Sequence, residues 1–147
     1  MDVLLALDIG GTKIAAGLVT REGTVIDRGR IAVRSNQSGE NLFNDLAQLV
    51  DAMLTKARGQ HGAQPIALGV GCAGPMTENA ELVSPLNIPC WRDFPLVPHL
   101  RTLTGLPVFA DGDAKALASG RVGKVPQKGK TTSWQWWFLL VLVVALC

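Results

Sequence analysis

A short polar segment interrupts the apolar N-terminal part of this chain, and its residue types suit phosphate binding. Residues 7–13 read L-D-I-G-G-T-K. Two glycines in a turn expose backbone N–H groups that form an anion-binding nest, and the hydroxyl of Thr12 and the ammonium of Lys13 add donors. The carboxylate of Asp8 could hold Mg²⁺, which often binds through about one or two carboxylates and keeps its waters. The alternative interpretation is a plain Gly-Gly hairpin turn that Asp8 caps.

A second glycine-rich segment follows a predicted strand. Residues 69–74 read G-V-G-C-A-G and match the G-x-G-x-x-G pattern of dinucleotide-binding proteins. However, Pro75 and a polar stretch follow the pattern where that motif requires a helix. We therefore interpret this segment as a structural glycine loop near a ligand.

The third candidate segment is Asp111-Gly112-Asp113, which also follows a predicted strand. A carboxylate that ends a strand and opens a helix can accept a proton from a substrate hydroxyl. The alternative is that the aspartate only caps the helix, a position that Asp readily fills. The two roles are compatible, and spacing alone does not choose between them.

Hydrophobic periodicity predicts the elements that must position these segments. Apolar stretches at 3–7, 13–20 and 25–33, joined by short turns, predict three consecutive antiparallel strands. Residues 40–57 instead repeat apolar side chains at steps of three and four, which predicts an amphipathic helix that Gly59 ends. The other predicted elements are strands at 65–70 and 107–110, a short helix at 96–103, loops between 75 and 98, and a helix from Ala114 to Ala118.

The order of these elements predicts an α/β fold. A three-stranded antiparallel meander followed by strands that return through helices gives a mixed sheet with helices packed on it. Ligands of such sheets bind beyond the carboxyl ends of the strands. We therefore expect the two glycine-rich segments and the paired aspartates to gather at one edge of the sheet.

Composition excludes several classes of protein. The chain has 147 residues, of which 48% are hydrophobic, and a formal net charge of +2, so it is not intrinsically disordered. Three widely spaced cysteines exclude a disulfide scaffold and fit a reducing compartment. The N-terminus lacks the basic segment of a secretory signal. These observations predict a cytoplasmic protein.

The charge divides the chain into two unlike parts. Residues 1–113 contain all 12 acidic residues and carry a net charge of −3, whereas residues 114–147 contain five bases and no acid. Three of the four tryptophans lie in the second part, which ends in an uncharged apolar run at 134–146. That run is shorter than the ~20 residues that a membrane-spanning helix needs. A membrane partner is therefore not expected.

Together, these motifs resemble the ROK family (repressors, open reading frames and sugar kinases). Residues 7–13 are similar to its opening phosphate loop, and G-V-G-C-A-G-P at 69–75 is similar to its second glycine loop. S-P-L-N at 84–87, with Trp91 after it, resembles the sugar-side loop that usually reads P-N-L-x-x-W. Residues 108–117 resemble its N-D-A segment. The resemblance covers about residues 3–118.

The resemblance implies an actin-like, ribonuclease-H-like ATPase fold and a kinase that moves the γ-phosphoryl group of ATP to a sugar hydroxyl. It implies that phosphates and metal are bound by Asp8, Gly10, Gly11, Thr12 and Lys13, with Asp8 the residue for Mg²⁺. It further implies that the sugar is contacted by Gly74, Asn87, Gly112 and Asp113, and that Asp113 is the general base. Gly112 stands where the family usually has Asn, so the side-chain hydrogen-bond partner that Asn would offer the sugar is missing.

The resemblance also sets expectations about partners. Only seven residues precede Asp8, so the DNA-binding helix-turn-helix of the repressor branch is not expected, and neither is a nucleic-acid partner. Sugar and nucleotide are the expected small-molecule partners, and full-length relatives are expected to form homo-oligomers. The motifs leave the sugar open, and they leave the phosphoryl donor open between ATP and polyphosphate.

The chain departs from the family after residue 118. The expected second phosphate loop, sugar-binding E-x-G-H and structural zinc site do not follow. If the third base of each codon is read with the first two of the next, residues 134–147 permit A-M-V-V-S-T-G-V-G-G-G-I-V, which contains the missing loop. We therefore predict a kinase N-terminal domain at 1–118, a frameshifted tail at 119–147, no second domain and no catalytic activity. The alternative is a non-catalytic sugar- or phosphate-binding protein, or a membrane-associated protein that uses the apolar tail.

Overall fold

The computed structural model describes residues 1–72, residue 77 and residues 81–111. Within them, five strands form one sheet in the spatial order β3-β2-β1-β4-β5. The strands are β1 (Asp2–Ile9), β2 (Lys13–Thr20), β3 (Val25–Ala32), β4 (Gln64–Cys72) and β5 (Val108–Asp111). Two helices lie between the strands, α1 (Gly39–Gly59) and α2 (Leu96–Thr104).

The sheet is mixed, as the sequence predicts. Strand β1 pairs antiparallel with β2, and β2 pairs antiparallel with β3, which makes the meander. Strand β4 pairs parallel with β1 on its other side, and β5 pairs parallel with β4. The carboxyl ends of β1, β4 and β5 therefore meet at one edge of the sheet, which is where ligands bind in this architecture.

The hydrophobic core lies on one face of the sheet, under both helices. Strand residues alternate between the two faces, and those that point to the helices are fully buried, as Leu5 of β1 and Leu68 of β4 are. The matching apolar residues of α1 are Leu42, Leu46, Leu49, Val50, Met53, Leu54 and Ala57. Leu7 and Ile9 point into this core, so Asp8 between them belongs to the opposite face.

Capping residues define both ends of α1. Ser38 accepts a hydrogen bond from the backbone N–H of Asn41 (3.1 Å) and caps the N-terminus of α1. At the other end, Gly59 is the last helical residue and Gln60 is the cap, so the prediction that Gly59 ends the helix is correct to within one residue. The left-handed glycine that follows this helix is Gly62 (φ 57°) rather than Gly59.

Strands β1 and β4 extend further than their apolar runs predict. Strand β1 continues through Asp8 to Ile9, and β4 continues through Gly71 to Cys72. The reason is that these strands pair with each other over their whole length, so ladder hydrogen bonds hold residues whose own preference is for turns. Gly71 and Cys72 are therefore in a strand, where the sequence predicts a loop.

Candidate functional site

Strand pairing places the backbones of two of the predicted aspartates, Asp8 and Asp111, at the same level of the sheet. Asp8 of β1 pairs with Gly71 of β4, and Gly71 in turn pairs with Asp111 of β5. Neighbouring strands are ~4.8 Å apart, so the backbone positions of Asp8 and Asp111 are separated by about 10 Å. The glycine between them adds no side chain to this gap.

Residues 10–13 form the tight turn that joins β1 to β2. The N–H of Gly10 donates to the carbonyl oxygen of Lys13 (3.0 Å), which closes the turn. The N–H of Val33 donates to the carbonyl oxygen of Thr12 (2.9 Å) and ties the turn to the chain after β3. Within the described residues, the N–H groups of Gly11 and Thr12 have no acceptor. These two amides, with the exposed side chains of Thr12 and Lys13, provide donors for an anion.

The two glycines of this turn are required by space rather than by backbone angle. Neither has a φ in the left-handed region. A Cβ atom on Gly10 would lie 2.8 Å from the carbonyl oxygen of Lys13. A Cβ atom on Gly11 would lie 2.5 Å from the Cβ of Asn87 and 3.2 Å from its carbonyl oxygen. Gly11 and Asn87 are therefore in direct contact, which brings the turn at residues 10–13 and the loop that contains Asn87 together.

Asn87 is exposed and lies near the tip of a closed loop formed by residues 83–94, which we call the Asn87 loop. A β-bridge between Val83 and Phe94 closes its base, with two backbone hydrogen bonds of 2.9 and 3.0 Å. Inside the loop, Ile88 donates to the carbonyl oxygen of Pro85, and Trp91 donates to that of Ile88. The tip is therefore made of two consecutive turns.

Trp91 anchors the Asn87 loop in the protein. Its side chain is fully buried, and its Nε1 donates to the carbonyl oxygen of Gly39 at the start of α1 (3.0 Å). Its ring stacks on Phe94, with ring centroids 4.8 Å apart. Gly39 makes room for this packing, because a Cβ there would lie 2.7 Å from the carbonyl oxygen of Cys90 and 3.2 Å from Trp91 Cδ1.

Cys72 lies beside the candidate site, and its thiol is unreactive. It pairs with Ile9 at the end of β4, and its side chain is buried. Burial, with a smaller contribution from the negative charge of Asp8, raises the pKa of its thiol to about 12. A thiol with this pKa is not a nucleophile at neutral pH.

Several predicted site residues lie outside the described residues. They are Gly74, Gly112 and Asp113, together with the predicted helix at 114–118 and the tail at 119–147. The backbone of Asp111 is described, and Asp113 follows it by two positions. The structure thus brings together Asp8, Gly10, Gly11, Thr12, Lys13 and Asn87, and it leaves the position of the predicted base undescribed.

Arg92, which the sequence does not mark as a functional residue, makes three hydrogen bonds within the Asn87 loop. The guanidinium of Arg92 donates to three carbonyl oxygens of that loop. An arginine after a tryptophan is no recognisable signal on its own. The contacts become visible only when the two turns are built and their carbonyl oxygens converge.

Comparison with known proteins supports the motif-based interpretation. A family model described as "ROK family" matches residues 4–133. The chain belongs to the ROK family. The matched region extends past residue 118, where the similarity of motifs ends.

The curated relatives are sugar kinases. The chain is 30% identical over 123 residues to a glucokinase of Halalkalibacterium halodurans, and this alignment covers 82% of the chain but 36% of the relative. It is 37% identical over 115 residues to an N-acetylmannosamine kinase of Escherichia fergusonii, covering 78% of the chain and 37% of the relative. The chain thus spans little more than a third of the length of these ROK proteins.

Solved structures show the same fold. The chain is similar to a ROK family glucokinase from Streptomyces griseus in complex with glucose and AMPPNP, with a TM-score of 0.62 and 32% identity. That match covers 79% of this chain and 35% of the glucokinase. A ROK hexokinase from Thermus thermophilus matches with a TM-score of 0.65 and 32% identity, over 83% and 39% of the two chains. The predicted actin-like fold class, with its mixed sheet and helices, is confirmed.

Neither a metal cluster nor a membrane-spanning helix is found in the part of the chain that the structure describes. No group of three or more His, Cys, Asp or Glu side chains there could hold a metal ion. Neither of the two described helices is long and apolar enough to cross a membrane.

Proposed function

We propose that this chain is the N-terminal part of a ROK sugar kinase, which transfers the γ-phosphoryl group of ATP to a hexose hydroxyl. The observation that carries the proposal is the contact between Gly11 and Asn87. It joins a turn with open amides to a loop that resembles the family's sugar-side loop. Phosphoryl transfer depends chiefly on positioning and charge stabilisation, and such a contact supplies positioning.

The turn at residues 10–13 is proposed to bind the phosphates of ATP. The N–H groups of Gly11 and Thr12 point to no other acceptor among the described residues, and the ammonium of Lys13 is exposed on the same turn. The AMPPNP complex of the Streptomyces griseus glucokinase supports ATP as donor. Polyphosphate remains the alternative donor, because the same amides and ammonium would bind it.

Asp8 fits a magnesium site in its chemistry. It is a half-buried carboxylate at the carboxyl end of β1, one strand away from Gly71, which adds no side chain. Magnesium in phosphoryl-transfer sites typically takes about one or two protein carboxylates and completes its shell with water and substrate phosphates. When bound, the ion would neutralise phosphate charge, and Asp8 would hold it directly or through water.

The sugar side of the site is proposed to contain Asn87, Gly74, Gly112 and Asp113. Asn87 offers an exposed amide beside the phosphate turn. Asp113 follows β5 by two positions, so it is proposed to accept the proton of the attacking hydroxyl as general base. Strand β5 ends at the sheet edge where β1 also ends, next to the turn at residues 10–13.

We further propose that the 147-residue chain alone does not catalyse the reaction. It spans 36% of the Halalkalibacterium halodurans glucokinase, and half a cleft neither excludes water nor holds both substrates in line. The proposed cause is a frameshift near residues 118–122, although the family match continues to residue 133. The proposed location of the protein is the cytoplasm, with sugar and nucleotide as its partners.

A pair of assays tests this proposal. The chain is incubated with ATP, Mg²⁺ and a panel of hexoses, and sugar phosphate is measured directly. We expect no turnover from the 147-residue chain and turnover once the shifted frame and its downstream half are restored. Asp113→Asn in the restored kinase should lower kcat by about 10²–10⁴-fold. Sugar phosphate from the chain alone would contradict the proposed inactivity, and an inactive restored enzyme would contradict the kinase assignment.

Fractionation of cells separates the kinase proposal from the membrane alternative. A kinase fragment is expected in the soluble fraction or among proteolysed material. Specific recovery with membranes would instead favour an anchor formed by the apolar run at 134–146, after the five bases that precede it.

A further inference from the structure

Arg92 occupies an unusual position in the Asn87 loop. Its Nη1 donates to the carbonyl oxygens of Pro85 (3.0 Å), Ile88 (3.2 Å) and Trp91 (2.6 Å). One nitrogen with two protons therefore serves three acceptors, so at least one proton is shared. Among the described residues, Arg92 forms no ion pair, although five such pairs occur there. Its charge is directed at backbone carbonyl groups alone.

These three carbonyl groups define the shape of the tip. The oxygen of Pro85 also accepts from Ile88, and the oxygen of Ile88 also accepts from Trp91, so each turn is closed by its own backbone hydrogen bond and by Arg92. Asn87 lies inside the first of these turns. A hydrogen bond from a charged donor is stronger than one from a neutral donor, so Arg92 contributes more to these turns than another backbone amide would.

We propose that Arg92 is a positioning residue for sugar binding: it locks the two turns of the Asn87 loop and so keeps Asn87 against Gly11. The inference rests on the proposed function, in which Asn87 contacts the sugar. Arg92 itself does not touch the sugar; it acts through the backbone of residues 85–91.

The position of Arg92 distinguishes this positioning role from a contribution to the stability of the whole fold. Arg92 is exposed, whereas Trp91 and the bridge between Val83 and Phe94 hold the base of the loop. Loss of the guanidinium therefore leaves the base and the core in place and frees only the tip. We expect local opening of the tip without global unfolding.

The test compares Arg92→Ala with Arg101→Ala in the full 147-residue chain. Arg101 is a matched control, since it is an exposed arginine that pairs on the surface with Glu81 (3.1 Å). The first readout is hydrogen exchange at the amides of Ile88 and Trp91. We expect exchange there to be about tenfold faster or more in Arg92→Ala and unchanged in Arg101→Ala, with the thermal midpoint nearly the same in both.

The second readout is hexose affinity, measured by NMR titration with glucose and N-acetylmannosamine. We expect Arg92→Ala to weaken the binding of the preferred hexose by about tenfold, Arg92→Lys to restore part of it, and Arg101→Ala to leave it unchanged. Unchanged exchange at Ile88 and Trp91 in Arg92→Ala would overturn the inference. So would faster exchange with full hexose affinity.

The two readouts distinguish the inference from the function on which it rests. If the unmodified chain binds neither sugar, sugar binding by this fragment is refuted, and the affinity comparison moves to the restored kinase. The exchange readout then still decides whether Arg92 locks the tip. If the unmodified chain binds a hexose and both readouts change together, the positioning role is supported.

Discussion

Substitution of Gly11 by alanine probes the contact on which the site depends. The added Cβ would lie 2.5 Å from the Cβ of Asn87 and 3.2 Å from its carbonyl oxygen. Carbon atoms in contact prefer ~3.5–4.0 Å, so turn and loop must separate by about 1 Å. The Asn87 loop cannot absorb this shift freely, because its base is bridged and Trp91 is buried. We expect a loss of about 1–3 kcal/mol in the free energy of unfolding.

The assay is urea unfolding of the 147-residue chain, with Gly59→Ala as the matched control. Gly59 is the last residue of α1, a Cβ added to it would meet no atom within 4 Å, and its φ is not left-handed. Alanine there should be neutral or stabilise by up to about 1 kcal/mol, since it favours the helix over the unfolded chain. The two variants thus add the same methyl group to a crowded and to an open position.

A double-mutant cycle assigns the loss to Asn87. Asn87→Gly removes the Cβ that the new methyl group would meet, so Gly11→Ala should be less harmful in that background. The coupling energy should fall within the ~0.5–3 kcal/mol found for residues in contact. If Gly11→Ala is no more destabilising than Gly59→Ala, or if the cycle shows no coupling, then the contact between Gly11 and Asn87 does not constrain the site.

Three further expectations concern Trp91, Asp27 and Cys72. Trp91→Ala should lower the free energy of unfolding by about 3–5 kcal/mol, and Trp91→Phe by less, since Phe keeps the stacking but loses the bond to Gly39; urea unfolding measures both. The hydrogen bond from His61 lowers the pKa of Asp27 below its ordinary value of 3.8. The charged carboxylate therefore stabilises the fold at pH values above 3.8. This stabilisation is lost as the pH falls through the lowered pKa. Asp27→Asn should therefore lower the thermal midpoint near neutral pH and have little effect in strong acid. Cys72 should resist iodoacetamide at mildly alkaline pH in the folded chain and react after unfolding, as peptide mass spectrometry would show; labelling of the folded chain at Cys72 would contradict its burial.

The sequence predicts the framework of this fold well, because long periodic patterns dominate it. The three-stranded meander and α1 follow from alternating and helical spacing, and both are present. Strand ends are predicted less well. Asp8 and Gly71 favour turns as isolated residues, yet parallel pairing between β1 and β4 keeps both in the ladder.

The residue types of the site can be predicted from the sequence, but the contacts that require those residues cannot. The polar residues of the turn at 10–13 can be picked out from residue types, and Asn87 from its similarity to a family motif. Gly11 is needed because Asn87 packs against it. This contact joins segments that are far apart in the sequence, so no local pattern predicts it. The contribution of Arg92 depends on three carbonyl oxygens that converge only in the folded loop.

The anchoring of Trp91 on Gly39 also sets the order in which the protein can assemble during synthesis. The two residues are 52 positions apart, whereas the meander pairs neighbours in the chain. Local pairings form early, and contacts between distant segments wait for the closing of a long loop. A nascent chain can therefore complete β1 to β3 on the ribosome while the Asn87 loop is still inside the exit tunnel. The turn at residues 10–13 would then emerge before the Asn87 loop, so a ligand that contacts both could bind only after residues 83–94 have left the tunnel.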